Sequence, residues 1–131
     1  MIRNSMQVIS ILIVLFSCSS TTNQQGPQVL ESDQFELQMK NEGVQLIDVR
    51  TPNEYNQGHL PNAILLDYSG GQLQKSLDKL DKDKPVMVYC AVGGRSGRAA
   101  KLLSESGFKV VYDLQGGIRD WTSQGKKVIL D

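Results

Sequence analysis

Cys90 is the side chain in this sequence best placed to act as a nucleophile. It follows the apolar run Val86-Met87-Val88-Tyr89 and precedes Ala91-Val92-Gly93-Gly94-Arg95-Ser96. That order reads as a strand, a thiol, a short glycine-bearing loop and the start of a helix. A sulfur at such a junction faces backbone N–H groups and the positive end of a helix dipole, and both favour thiolate over thiol. Gly93 and Gly94 let the loop turn its amides inward without a Cβ penalty. A buried, inert cysteine ending a strand is the alternative, but a packing site has no need of two glycines and an arginine directly after it. The chain holds one other cysteine, Cys18, and a single histidine, His59. Those counts exclude a four-ligand Cys/His zinc site, and neither a metal nor a cofactor is expected.

The surrounding pattern supplies the elements that would hold such a site. Val44-Gln45-Leu46-Ile47-Asp48-Val49, Ala63-Ile64-Leu65-Leu66, Pro85 to Tyr89 and Lys109-Val110-Val111-Tyr112 read as strands, and Val29-Leu30 as a short edge strand. Near-continuous apolar runs suit strands covered on both faces. Helices are predicted from Ser32 to Met39, from Gln72 to Leu80 and from Ser96 to about Ser106, with Ser32 and Ser96 as caps. Gly116-Gly117 introduces a last short helix holding Trp121. Alternating strands and helices predict an α/β domain with a parallel sheet, which places ligands at the carboxyl ends of the strands. Cys90 sits at such an end.

The 131 residues suffice for one domain. Lysine plus arginine equals aspartate plus glutamate at 14 each, so no overall charge argues for nucleic acid. Residues 1–17 read as an address, with Arg3 before the apolar stretch Val8 to Phe16, too short to span a bilayer. Leu15-Phe16-Ser17-Cys18 resembles the lipobox of bacterial lipoproteins, although Phe16 is bulkier than the usual residue there. The resemblance implies cleavage before Cys18, lipid attachment to it, and a membrane anchor. Because Ser19 is not aspartate, the expected location is the outer membrane, facing the periplasm. Residues 18–28 are polar and read as a tether. Residues 29–131 form the domain.

That domain resembles the rhodanese homology domain in three motifs. The first runs from Leu46-Ile47-Asp48-Val49-Arg50 through Glu54-Tyr55 to Gly58-His59-Leu60, with Asn62 where a glycine is often seen. The second is Cys90-Ala91-Val92-Gly93-Gly94-Arg95-Ser96, and the third Leu114-Gln115-Gly116-Gly117-Ile118-Arg119-Asp120-Trp121. The resemblance implies a mostly parallel five-stranded sheet with helices on both faces. It also implies a sulfurtransferase that moves sulfane sulfur from a donor such as thiosulfate to cyanide, a thiol or a protein thiol, through a persulfide on Cys90. The backbone of Ala91, Val92, Gly93, Gly94, Arg95 and Ser96 would hold the anionic sulfur.

Arg95 either binds the anionic end of a donor or pairs with a carboxylate. Arg50 lies near the active loop in such a family and could help form an anionic pocket. Its spacing also allows an ion pair with Glu54, which we favour. Asp48 is read as a structural acceptor, His59 as part of a structural turn and Trp121 as a core anchor. Lys75, Lys79, Lys82 and Lys84 lie among Asp78, Asp81 and Asp83 and read as a solvated face. Two other functions remain open. One is a persulfide carrier or binding module that does not turn over. The other is a phosphatase or arsenate reductase of the same fold, disfavoured because such enzymes place five residues between cysteine and arginine, where this chain has four.

Overall fold

The computed structural model describes residues 25–130. The expected signal peptide at residues 1–17, the lipidated Cys18 and most of the tether lie outside the described residues.

Five parallel strands form one sheet: β1 (Gln28–Leu30), β2 (Gln45–Asp48), β3 (Ile64–Leu65), β4 (Val86–Tyr89) and β5 (Val111–Leu114). Their spatial order is β1-β5-β4-β2-β3, and every pairing is parallel. Among the described residues, five α-helices accompany them: α1 (Ser32–Met39), α2 (Pro52–Asn56), α3 (Gln72–Ser76), α4 (Gly94–Glu105) and α5 (Gly117–Ser123). The expected five-stranded parallel sheet is therefore what the chain builds.

Alternation along the strands divides the core. Val86 and Val88 face a cluster with Ile47, Val49, Val111 and the α4 residues Ala99, Ala100 and Leu103. Met87 and Tyr89 face the other side, with Leu46, Leu114, Phe35 of α1 and Trp121 of α5. All four β4 residues are buried, as the unbroken apolar run requires. The helices that follow β2 and β4 leave toward opposite faces, with Tyr55 of α2 on the Met87 side. The carboxyl ends of β2 and β4 thus flank a crevice of the kind that binds ligands in open α/β sheets.

Several boundaries differ from expectation. The fourth expected strand lies two residues later, at Val111–Leu114, so that Asp113 is inside the sheet. The helix expected from Gln72 to Leu80 ends at Ser76 and passes into a 3₁₀ turn over Leu77–Lys79. Neither serine caps its helix. Glu31 precedes α1 without a side-chain cap, and Gly93, in the left-handed region, precedes α4. The Ser32 hydroxyl bonds Asp120 instead, at 3.2 Å. Helix α2 was not foreseen.

Candidate active site

Cys90 directly follows β4 and is 1% exposed. The Gly93 N–H donates to its Sγ at 3.1 Å, and Sγ lies 3.4 Å from Ser96 Oγ. Gly93 adopts φ +110°, a conformation suited to glycine, and α4 starts at the next residue. Burial, the largest single influence, opposes ionisation of the thiol. The Ser96 hydroxyl and the amides of Ser96, Gly93 and Val92 together outweigh it, and the thiol lies below its ordinary value. Of the six loop residues named from the sequence, Val92, Gly93 and Ser96 are the ones whose amides lower the thiol.

Helix α5 fixes the loop from behind. The N–H groups of Ile118 and Arg119, in its first turn, donate to the carbonyls of Cys90 (2.9 Å) and Ala91 (3.1 Å). This contact explains the Gly116-Gly117 pair. Gly117 has φ +61°, and a Cβ there would lie 2.5 Å from the Cys90 and Ala91 carbonyl oxygens. No residue but glycine fits between α5 and the loop at this distance.

Two carboxylates and two arginines of the first two motifs sort into two ion pairs. Arg50 is 5% exposed. Its Nε and Nη2 donate to Asp48 at 3.0 and 2.6 Å, and Nη2 also donates to the Gly58 carbonyl at 2.7 Å. The Tyr89 hydroxyl donates to Asp48 Oδ2 at 2.7 Å and accepts from Leu60 N–H at 3.0 Å. Burial first, then the Asp48 charge, pushes the Tyr89 phenol far up, so it stays a donor. Asp48 is thus the structural acceptor that its position suggested. Glu54 pairs with Arg95 instead, through two bonds of 2.8 Å. The expected Arg50–Glu54 pair is corrected: Arg50 precedes α2, so helical i,i+4 spacing does not apply to it. The Arg95 bonds, with help from the Thr51 backbone and hydroxyl against partial burial, hold the Glu54 carboxyl down to about 2.

Helix α2 is held by the same carboxylate. Thr51 Oγ1 accepts from Glu54 N–H, Glu54 Oε2 accepts from Thr51 N–H, and Pro52 occupies the first turn. Thr51-Pro52-Asn53-Glu54 is a capping box legible in the sequence.

His59 is 2% exposed. Its ring stacks on Tyr55 at 3.7 Å, Nδ1 lies 3.2 Å from the Tyr55 carbonyl oxygen, and its backbone bridges to Ile129. These contacts match a structural turn. Trp121 meets Phe35 edge-on and donates to the Lys127 carbonyl, as a core anchor should. Beside the loop, exposed Val92 and Arg119 line a cavity of about 350 Å³ with Gly116, Asp120 and Ser123. Among the described residues, no three His, Cys, Asp or Glu side chains converge to hold a metal ion.

Residues 31–124 match the family described as the rhodanese-like domain. The chain is 40% identical over 94 residues to the thiosulfate sulfurtransferase GlpE of Coxiella burnetii, covering 72% of this chain and 85% of that one. It is 44% identical over 77 residues to the uncharacterized protein YqhL of Bacillus subtilis, covering 59% of this chain and 60% of YqhL. The crystal structure of a rhodanese-related protein from Thermoplasma volcanium superposes with a TM-score of 0.71 at 31% identity, covering 79% of this chain and 99% of that one. This chain belongs to the rhodanese-like domain family.

Proposed function

We propose that the protein is a sulfurtransferase that carries sulfane sulfur as a persulfide on Cys90. The observation that carries this reading is the lowered Cys90 thiol, with Gly93 N–H at 3.1 Å and Ser96 Oγ at 3.4 Å from Sγ. The thiolate attacks the outer sulfur of thiosulfate. A bond forms between Sγ and that sulfur, the S–S bond of the donor breaks, and its electron pair leaves with sulfite. Cyanide or a thiol then attacks the outer persulfide sulfur, and the Cys90 thiolate leaves with the bonding pair. The groups that lower the Cys90 thiol favour its ionised, nucleophilic form. The amides that hold the thiolate also hold the persulfide anion. GlpE's designation as a thiosulfate sulfurtransferase supports the donor class.

The loop itself favours sulfur over phosphate. Four residues separate Cys90 from Arg95, and the Arg95 guanidinium is engaged by Glu54, not free to clamp a tetrahedral oxyanion. Incubation with thiosulfate should add about 32 Da, one sulfur, to the Cys90 peptide, since the thiolate is the attacking group. Cyanide should remove it as thiocyanate. A chain that gains no sulfur at Cys90 overturns the reading, and one that gains sulfur but never releases it is a carrier.

We also propose that Cys18 is lipidated and anchors the domain to a membrane, with the outer membrane as the preferred site. The lipobox-like Leu15-Phe16-Ser17-Cys18 at the end of an apolar segment supports this. A palmitate analogue should label the wild type and not Cys18→Ala; equal labelling of both would refute the anchor.

A further inference from the structure

Each of the three sequence motifs carries one arginine, and two of these are engaged inside the protein. Arg50 is buried against Asp48, and the Arg95 guanidinium is held by both oxygens of Glu54. Arg119 differs from both. Its side chain is exposed and, among the described residues, it enters no ion pair. Its backbone N–H donates to the Ala91 carbonyl at 3.1 Å, which pins the residue to the loop that carries the sulfur. The side chain lines the cavity of about 350 Å³ that Val92 borders. Gly116 lines the same cavity, and a Cβ on Gly93 would stand 3.9 Å from its nitrogen. The cavity therefore abuts the loop beside Gly93, whose N–H bonds Sγ.

The other polar groups around that cavity are occupied. The Ser123 hydroxyl donates to the Asp120 carbonyl at 2.7 Å. Asp120 Oδ2 accepts from Ser32 at 3.2 Å and from Gln124 at 2.7 Å. Arg119 also borders a second cavity that holds Glu54, but Arg95 takes that carboxylate. Arg98 is exposed farther along α4 and lines neither cavity. Beside the loop, one guanidinium is thus left to meet an anion from outside.

We propose that Arg119 is the donor-recognition residue of this site: it binds the oxyanion end of a thiosulfate-class donor and receives the sulfite that leaves. The assignment rests on the sulfurtransferase reading. A thiolate and an anionic donor repel each other, and a cation beside the loop reduces that repulsion. As Sγ bonds to the outer sulfur and the donor S–S bond breaks, the bonding pair departs on sulfite, and no proton moves. The planar fork of guanidinium N–H donors suits two oxygens of such a group, as it suits a carboxylate or a phosphate. Donors that end in an oxyanion are therefore preferred over uncharged ones, and the preference is set by a side chain outside the Cys90–Ser96 loop.

The test separates charge recognition from sulfur transfer. Cys90 in the full chain is alkylated with iodoacetate and with iodoacetamide, which differ by one negative charge, and each rate is followed at the Cys90 peptide by mass spectrometry. The iodoacetate-to-iodoacetamide ratio should fall severalfold in Arg119→Gln and recover in Arg119→Lys. Iodoacetamide alone should react at the wild-type rate in both variants; a parallel loss with that neutral reagent reports a damaged loop and overturns the assignment. With thiosulfate, the second-order rate of persulfide formation should fall about tenfold in Arg119→Gln, the worth of one charge-assisted hydrogen bond at an exposed site, and recover in Arg119→Lys. A ratio or a persulfide rate in Arg119→Gln that stays within about twofold of wild type also overturns it. A wild-type chain that takes no sulfur from thiosulfate, while its alkylation ratio still depends on Arg119, sinks the sulfurtransferase reading and leaves Arg119 as an anion site.

Discussion

Two buried aspartates sit on the parallel strands flanking β4, and their surroundings treat them in opposite ways. Asp48 ends β2 and accepts from the Arg50 backbone and guanidinium and from the Tyr89 hydroxyl. Both of its oxygens are saturated by donors, and a cation lies against it. Asp113 on β5 is buried and has one oxygen with no donor at all. A carboxylate saturated by charged donors acts as structure. One left short of donors and buried has its carboxyl pushed up by that burial. The difference teaches where this domain holds rigidity and where it holds reactivity. The Arg50–Asp48–Tyr89 cluster ties β2, β4 and the Gly58–Leu60 turn together. Asp113 lies under the first turn of α4, whose Ser96 hydroxyl is 3.4 Å from the reacting sulfur.

Substitutions on the two sides should therefore fail differently. On the reactive side, Cys90→Ser should lose sulfur transfer to the limit of detection, because a neutral hydroxyl forms no persulfide. Its unfolding free energy should stay within about 1 kcal/mol of wild type; a thiosulfate–cyanide assay and a urea melt read both quantities. On the structural side, Asp48→Ala leaves the Arg50 charge buried and unpaired. A loss of about 3–5 kcal/mol is expected, visible as a large drop in urea midpoint. Tyr89→Phe removes one bond to Asp48 and one from Leu60, and should cost about 1–3 kcal/mol. Retained stability in Asp48→Ala would erase the contrast between the two aspartates.

The smallest effect is confined to acid. The Glu54 carboxyl is lowered from 4.5 to about 2 in the folded protein. Its contribution is fully present above 4.5 and is lost as pH falls through about 2. Wild-type stability should decline across that window, and Glu54→Gln should flatten this part of the decline. Thermal melts at a series of acidic pH values measure it. His59→Ala extends the comparison, since sulfur transfer should largely persist in whatever fraction folds.

Much of this was legible because local and global signals agreed. The apolar run Val86 to Tyr89 is a strand buried on both faces, and the Cys90 loop follows it without a break. Asp48 was recognisable as an acceptor from its place at a strand end. The misreadings have physical causes. A carboxylate inside a strand defeats an apolar pattern, so β5 was placed two residues early and Asp113 was passed over. Ser32 and Ser96 have the chemistry of caps, but tertiary partners, Asp120 and Cys90, claim their hydroxyls. The Arg50–Glu54 pairing assumed a helix that begins only after Thr51. Helix α2 carries its own signal in Thr51, Pro52 and Glu54, a cap and first turn too short to show an apolar period.

The dependence of the loop on α5 has a consequence for how the molecule comes into being. The carbonyls of Cys90 and Ala91 are held by amides of Ile118 and Arg119, and strand β1 pairs with β5 alone. During synthesis, β1 must wait for β5, and the sulfur acquires its finished setting only when Ile118 and Arg119 arrive. The reactive thiol is thus completed late, after the sheet around it can close.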